Sequence, residues 1–178
     1  PAAGGAEPAT VDPAALLPPD RLAIFRAQVA LDRAGFSPGS LDAVLGRQTR
    51  AALRAFQERQ RLPPTGELDA VTAGRLIPEP PLLTVHRVTA ADLAGLRPLG
   101  TNWLQKSQQD RLAYETILEQ VAEEGHAYPD LIRLLNPGVR WAGVVPGDIL
   151  VIPAVRRPRS PVRADVIRIR LAERTLDV

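Results

Sequence analysis

Two histidines are the residues of this chain best suited to catalysis or metal binding. Neither His86 nor His126 has a partner at the HxxxH or HExxH spacing that zinc sites use, and the chain contains no cysteine. The sequence therefore predicts no zinc site and no thiol nucleophile. An ordinary structural histidine is the favoured interpretation at both positions.

Paired carboxylates are the second possible source of chemistry, as general acid and base of a glycosidase. Asp42 lies in a polar loop and Asp69 at the start of a short helix, where a structural hydrogen bond accounts for a carboxylate. Glu123 and Glu124 are adjacent, so they do not face each other. The sequence contains no Gly-rich phosphate loop and no Gly-x-Ser-x-Gly elbow. We expect no catalytic residue, no cofactor and no metal ion.

Carbohydrate binding is the chemistry that the remaining residues allow, because sugars need planar apolar faces and polar hydrogen-bonding groups. Phe36, Asp42, Arg50 and Gln57 could provide both from one loop and the helix that follows. Phe36 could equally belong to the core, which is the interpretation that we favour for Phe56.

Three helices are predicted to position these residues. Apolar residues recur at helical spacing in two stretches, first Leu22, Phe25 and Val29, then Ala52, Leu53 and Phe56. Gly35 ends the first helix, and Pro63-Pro64-Thr65-Gly66 ends the second. Asp69 can cap a short third helix that carries Val71 and Leu76.

This segment resembles the peptidoglycan-binding module found beside many bacterial cell-wall enzymes. The residues that carry the resemblance are Gly35-Phe36, Leu41-Asp42, Leu45-Gly46, Thr49, Ala52, Phe56-Gln57, Leu62-Pro63, Thr65-Gly66 and Asp69. Ala43 stands where the family usually has glycine, at a position that prefers positive φ, so we expect strain or a shifted loop. Leu45 stands where the family usually has an aromatic residue.

The second segment is predicted to run strand, helix, helix, strand. Residues 82–88 (LLTVHRV) form the first strand, Tyr114 to Val121 and Pro129 to Leu135 the helices, and Ile149 to Ile152 the last strand. The motifs Leu135-Asn136-Pro137-Gly138 and Pro146-Gly147-Asp148, with Leu150 and Ile152-Pro153, resemble a LysM glycan-binding module. Residues 89–112 form an insertion where that family has a short Gly-Asp-Thr turn.

Aromatic residues of this segment are candidate sugar platforms. Trp141 flanks the turn that contains Asn136, and these two residues complete the predicted glycan-binding set. Trp141 could equally cover the short strand. Trp103, in the insertion, is a further aromatic candidate.

The last residues alternate apolar and basic side chains, as in a strand with one face to bury. Residues 163–178 (RADVIRIRLAERTLDV) resemble the opening strands of the bacterial L,D-transpeptidase catalytic domain. That resemblance implies a catalytic domain continuing beyond Val178, with a cysteine nucleophile that this chain lacks. The chain begins at Pro1 and contains no Met, so we expect a processed form or a segment of a longer protein.

Charge and hydropathy restrict the partners. The net charge is +2, with nine arginines against five acids in residues 21–77. These arginines are dispersed and no stacking aromatic interleaves with a basic run, so nucleic-acid binding is not predicted. No stretch reaches the ~20 apolar residues of a membrane helix.

We therefore predict a mainly α chain (α+β overall) in five parts. These are a flexible leader (1–20), a three-helix peptidoglycan-binding-like domain (21–77), a proline linker (78–81), a small β-α-α-β LysM-like domain (82–155), and a linker with a C-terminal β-hairpin fragment (156–178). The predicted function is non-catalytic peptidoglycan targeting of an L,D-transpeptidase in the periplasm or another extracytoplasmic part of the envelope. The alternative is a structural or regulatory scaffold that packs on the catalytic domain or a partner protein without binding glycan.

Overall fold

The computed structural model describes residues 11–109, 112–155, 165–172 and 175–177. Seven α-helices and two small antiparallel sheets make up these ranges, so the described structure is mainly helical. Within them, no helix is both long enough and apolar enough to cross a membrane.

The first three helices are α1 (Pro19–Arg33), α2 (Arg47–Arg59) and α3 (Ala70–Arg75). Gly35, with φ of 81°, ends the first in a left-handed conformation. The side chain of Asp69 caps the third by accepting a hydrogen bond from Thr72 N at 2.7 Å. Both helix ends are those predicted from the sequence.

The second segment contains the predicted order of strand, two main helices and strand. Its elements are β1 (Leu83–Arg87), α4 (Ala90–Gly95), α5 (Trp103–Ser107), α6 (Ile117–Glu124), α7 (Pro129–Leu135) and β2 (Ile149–Pro153). The strands pair antiparallel, with Leu83 opposite Pro153. The helix α6 begins three residues later than predicted from Tyr114, because the Thr116 side chain caps it by accepting from Glu119 N.

The insertion carries two short helices, α4 and α5, and exposes much of its surface as predicted. Thr89 and Asp92 form a capping box at the start of α4. At the start of α5, Asn102 caps the helix and Trp103 is 85% exposed. The polar run from Gln105 onward is likewise mostly exposed.

A hairpin follows at the end of the described chain. Strands β3 (Arg168–Arg170) and β4 (Thr175–Asp177) pair antiparallel, with Ile169 opposite Leu176. The predicted hairpin is therefore present. The apolar side chains of Val166, Ile169 and Leu171 are exposed.

The predicted leader differs from the expectation in the part that the structure describes. Residues 1–10 lie outside the described residues. From Val11 onward the chain packs on the core: Pro13–Ala15 form a 3-10 turn capped by Asp12, and Leu17 is only 4% exposed. The sequence prediction missed this because Leu16 and Leu17 stand alone among alanines and prolines.

One hydrophobic core joins the first and second segments. Phe25 and Val29 of α1 belong to the same buried cluster as Leu131 and Ile132 of α7. Leu41 forms a parallel β-bridge with Ala127. A second, smaller cluster between α1, α2 and the end of α3 lies wholly within the first segment. The predicted boundaries therefore divide the chain by sequence motif, while the packing crosses them.

Polar contacts strengthen the same junction. The Nδ1 atom of His126 lies 3.1 Å from a carboxylate oxygen of Asp32 in α1. The guanidinium of Arg33 donates to the backbone carbonyls of Glu79, Pro81 and Ala154. Arginine presents several donors in a fixed planar arrangement, so one side chain can hold the proline segment against the end of β2.

Candidate functional site

The loop between α1 and α2 is built around the buried amide of Gln28. Its Oε1 accepts from Ala43 N at 2.8 Å, and its Nε2 donates to Asp42 Oδ1 at 2.8 Å and Thr49 Oγ1 at 3.0 Å. Asp42 also accepts from Val44 N. The carboxylate therefore has the structural role expected for it. Ala43 has φ of 56°, which confirms the predicted left-handed position.

The loop between α2 and α3 repeats this arrangement around Gln57. The Oε1 atom accepts from Gly66 N at 2.8 Å, while Nε2 donates to Thr65 Oγ1, Thr72 Oγ1 and the Glu67 carbonyl at 3.0–3.1 Å. In each loop the N–H of a left-handed residue donates to a glutamine of the preceding helix, and that glutamine donates to a threonine of the following helix. Gln57 is 0% exposed, so it can act on a ligand only through the loop that it holds.

Phe36 lies at the edge of the smaller cluster. Its ring meets Phe56 edge-on at 5.8 Å between centroids, and the guanidinium carbon of Arg59 lies 4.4 Å from the Phe36 centroid. Phe56 is buried, as expected. Phe36 is half-buried, so it combines a core contact with a surface that a cation partly covers.

Arginines form a basic edge along one face of α2. Arg50 forms an ion pair with Glu67, and the Arg54 side chain lies against Gly66. Both arginines therefore flank the loop that Gln57 holds. Arg47 and Arg54 are seven residues apart on one exposed helix face, so these cations are gathered more closely than their dispersion in the sequence indicates.

The two predicted glycan contacts of the second segment have different environments. Asn136 is 6% exposed, and its amide donates to the Ile132 and Val151 carbonyls and accepts from Val151 N, each at 2.8 Å. It therefore ties α7 to β2. Trp141 is half-buried against the shared core and keeps an accessible face. Of the six predicted site residues, Phe36, Asp42, Arg50 and Trp141 reach the surface, while Gln57 and Asn136 are buried.

The histidines pair with carboxylates. His86 lies between Glu124, at 2.8 Å, and Asp92, at 3.3 Å. Hydrogen bonds from the Thr89 hydroxyl and N–H lower the pKa of Asp92 to about 2. Across the described ranges, no three His, Cys, Asp or Glu side chains converge in a way that could hold a metal ion.

Comparison with known protein families identifies the helical segment. Residues 22–76, which include α1 through α3 and both glutamine-centred loops, match the family described as "Putative peptidoglycan binding domain". This segment is a peptidoglycan-binding domain. No curated protein sequence matches the chain.

The peptidoglycan-binding domain thus contains both loops, the Phe36 ring and the basic edge of α2. The match suggests peptidoglycan as a partner and a cell-wall-associated location. Gln28 is the structural residue of this domain that the sequence analysis missed. A polar residue three positions after Phe25, inside an apolar helical stripe, was the available signal.

Proposed function

We propose that this chain is a non-catalytic region that holds an L,D-transpeptidase at peptidoglycan in the periplasm or another extracytoplasmic compartment. The observation that carries the proposal is the family match of residues 22–76. A docking module raises the local concentration of a tethered catalytic domain at its substrate without needing tight binding.

The surfaces that we assign to peptidoglycan are the basic edge of α2, the exposed part of Asp42, and the separate Phe36 ring. Peptidoglycan carries carboxylates, which the guanidinium groups of Arg50 and Arg54 can pair with. The accessible part of Phe36 and its neighbour Arg59 offer a planar surface for a sugar ring. Gln57 contributes by fixing the loop against which Arg50 and Arg54 lie.

Two further observations support the remaining parts of the proposal. The antiparallel pairing of β1 and β2 around α6 and α7 supports a LysM-like assignment for residues 82–155, with Trp141 as its accessible glycan contact. Exposed apolar side chains on and beside β3 (Val166, Ile169 and Leu171) support the interpretation of the hairpin as the start of a transpeptidase domain, which would cover them.

Retention on insoluble peptidoglycan tests the binding function. We expect the unmodified chain to sediment with peptidoglycan and the double variant Arg50→Gln/Arg54→Gln to lose about 5-fold in affinity, since exposed ion pairs contribute up to about 1 kcal/mol each. The matched control is Arg133→Gln/Arg140→Gln, which removes two exposed charges from the second segment. Retention no greater than that of an unrelated helical protein would exclude the proposal.

A scaffold is the second candidate, and the shared core favours it. Leu41 and Ala127 bridge the two segments. Trp103 of the insertion is exposed, and the fold does not require that exposure. A scaffold would bind a separately supplied transpeptidase domain through Trp103 and would not be retained on peptidoglycan. Binding of that domain by the unmodified chain and not by Trp103→Ser distinguishes the two functions.

A further inference from the structure

A cleft of about 570 Å³ lies where the chain passes from the first segment to the second. The ends of α1 and α3 form one side, residues 77–81 form another, and Thr84 with residues 154–155 forms the third. We call it the junction cleft. Its volume is within the range of small-ligand sites, which are common at boundaries between structural units.

The side chains that line the junction cleft are mainly apolar. Ala30 of α1 and Phe56 of α2 lie buried beneath it, while Ile77, which is 75% exposed, contributes accessible surface from the chain after α3. An exposed branched side chain beside a concave surface is apolar area that a ligand can cover. The cleft therefore favours a ligand with a small apolar body.

The backbone around the cleft has few hydrogen-bonding groups to offer. Residues 78, 80 and 81 are prolines, which have no N–H group. The carbonyls of Glu79, Pro81 and Ala154 already accept from Arg33. Selectivity in this cleft must therefore come from side chains.

Besides Arg33, two side chains of opposite charge line the cleft. Arg75 lies in the last turn of α3, and Glu79 follows four residues later. Both are exposed, and neither side chain forms a hydrogen bond or ion pair with another residue in the described ranges. A guanidinium group binds a carboxylate through two parallel hydrogen bonds, and a carboxylate accepts from an ammonium group.

We propose that the junction cleft binds a short peptide with small apolar side chains, one free carboxylate and one ammonium group. The carboxylate pairs with Arg75, the ammonium group with Glu79, and the small side chains cover Ile77 and Pro80. This inference rests on the proposed function, because the short peptides that cross-link glycan strands in peptidoglycan have this chemistry.

The test is an NMR titration of the ¹⁵N-labelled full chain with the peptide acetyl-Ala-Gln-Lys-Ala. Its only charged groups are the C-terminal carboxylate and the lysine ammonium. We expect shifts in the backbone N–H signals of Ile77, Glu79, Thr84 and Val155. Amidating the C-terminus or acetylating the lysine should each weaken binding about 5-fold or more, as expected for loss of one charge-assisted hydrogen-bonded pair.

Variants assign each charge to its partner. Arg75→Gln should weaken binding of the free peptide about 5-fold and remove the preference for the free carboxylate over the amide. Glu79→Gln should weaken binding of the free peptide about 5-fold and remove the preference for the lysine ammonium over acetylated lysine. The matched controls, Arg26→Gln and Glu58→Gln, remove exposed charges outside the cleft and should leave binding unchanged.

The outcomes separate this inference from the proposed function. Retention of the chain on insoluble peptidoglycan without shifts at the cleft overturns the cleft assignment alone. Equal weakening by Arg75→Gln and Arg26→Gln also overturns it, since binding would then reflect overall charge. The third outcome combines shifts at the cleft that show both charge preferences with no retention of the chain on peptidoglycan. It would support the cleft assignment and overturn the proposed function.

Discussion

Replacing Gln57 by leucine tests whether this residue holds a loop or contacts a ligand. Leucine has a similar volume but none of the amide hydrogen bonds. The buried Gly66 N–H and the buried Thr72 hydroxyl would lose their partner. At about 1–3 kcal/mol for each buried group left unpaired, the cost is about 2–6 kcal/mol. Burial of apolar carbon in place of an amide offsets about 1 kcal/mol, so we expect a loss of about 3 kcal/mol in unfolding free energy.

Urea unfolding followed by circular dichroism measures this change. With a denaturant dependence of about 2 kcal/mol per molar, a 3 kcal/mol loss lowers the unfolding midpoint by about 1.5 M. The control is Gln48→Leu at the exposed start of α2, where we expect a change within about 0.5 kcal/mol. Similar midpoints for Gln57→Leu and Gln48→Leu would show that the buried amide network does not stabilise the fold.

The same variants decide how Gln57 serves binding. Retention on peptidoglycan is measured without urea, where both variants remain folded. We expect a partial loss for Gln57→Leu, because the loop beside Arg50 and Arg54 loosens. If retention is abolished while the unfolding midpoint stays within about 0.3 M of the unmodified chain, Gln57 contacts the ligand directly and the reasoning from its burial is refuted.

Three further predictions concern the fold. Ala43→Gly should change the free energy of unfolding by less than about 1 kcal/mol in thermal unfolding. Relief of the backbone strain at φ of 56° is offset by a lost buried methyl group and a more flexible unfolded chain. Ala43→Val should cost about 2 kcal/mol or more. The pKa of Asp92 falls from 3.8 to about 2 on folding, so the stability that its carboxylate contributes is present above pH 4 and is lost as the pH falls toward 2. Asp92→Asn should flatten this loss of unfolding free energy. An unchanged dependence of stability on pH would contradict the assignment. Residues 21–77 alone should unfold at lower urea than residues 11–155, because excision exposes Phe25, Val29 and Leu41, and equal midpoints would show that the shared core is dispensable.

Features fixed by local chemistry were predictable from the sequence. Gly35 allows the left-handed end of α1, Asp69 caps α3, and Pro129 begins α7, each through its own backbone or a neighbour within three residues. The start of α6 was predicted too early although its signal is equally local. Thr116 and Glu119 have the Ser/Thr-x-x-Glu spacing of a capping box, which marks the helix start better than the apolar stripe from Tyr114 does.

Features that depend on distant residues were not predictable in the same way. Nothing near Leu41 indicates that its backbone pairs with that of Ala127. Arg33 looks like an ordinary basic residue at a helix end, yet it donates to the backbone near both ends of the second segment. The candidate site shows the same division: the turns around Asp42 and Gly66 follow from residue types, while the burial of Gln57 and Asn136 depends on contacts across the fold.

The shared core determines how the two segments can act on one polymer. If they moved independently, each binding event would have to restrict the other segment, at a cost in conformational entropy. Here Phe25 and Ile132 belong to one buried core, and Arg33 holds the proline segment beside β2, so folding itself already fixes one segment against the other. The basic edge of α2 and the accessible face of Trp141 are therefore presented in a fixed relation. If both surfaces contact peptidoglycan as proposed, their weak contacts add on a polymer whose repeats match their spacing, and neither surface needs high affinity of its own.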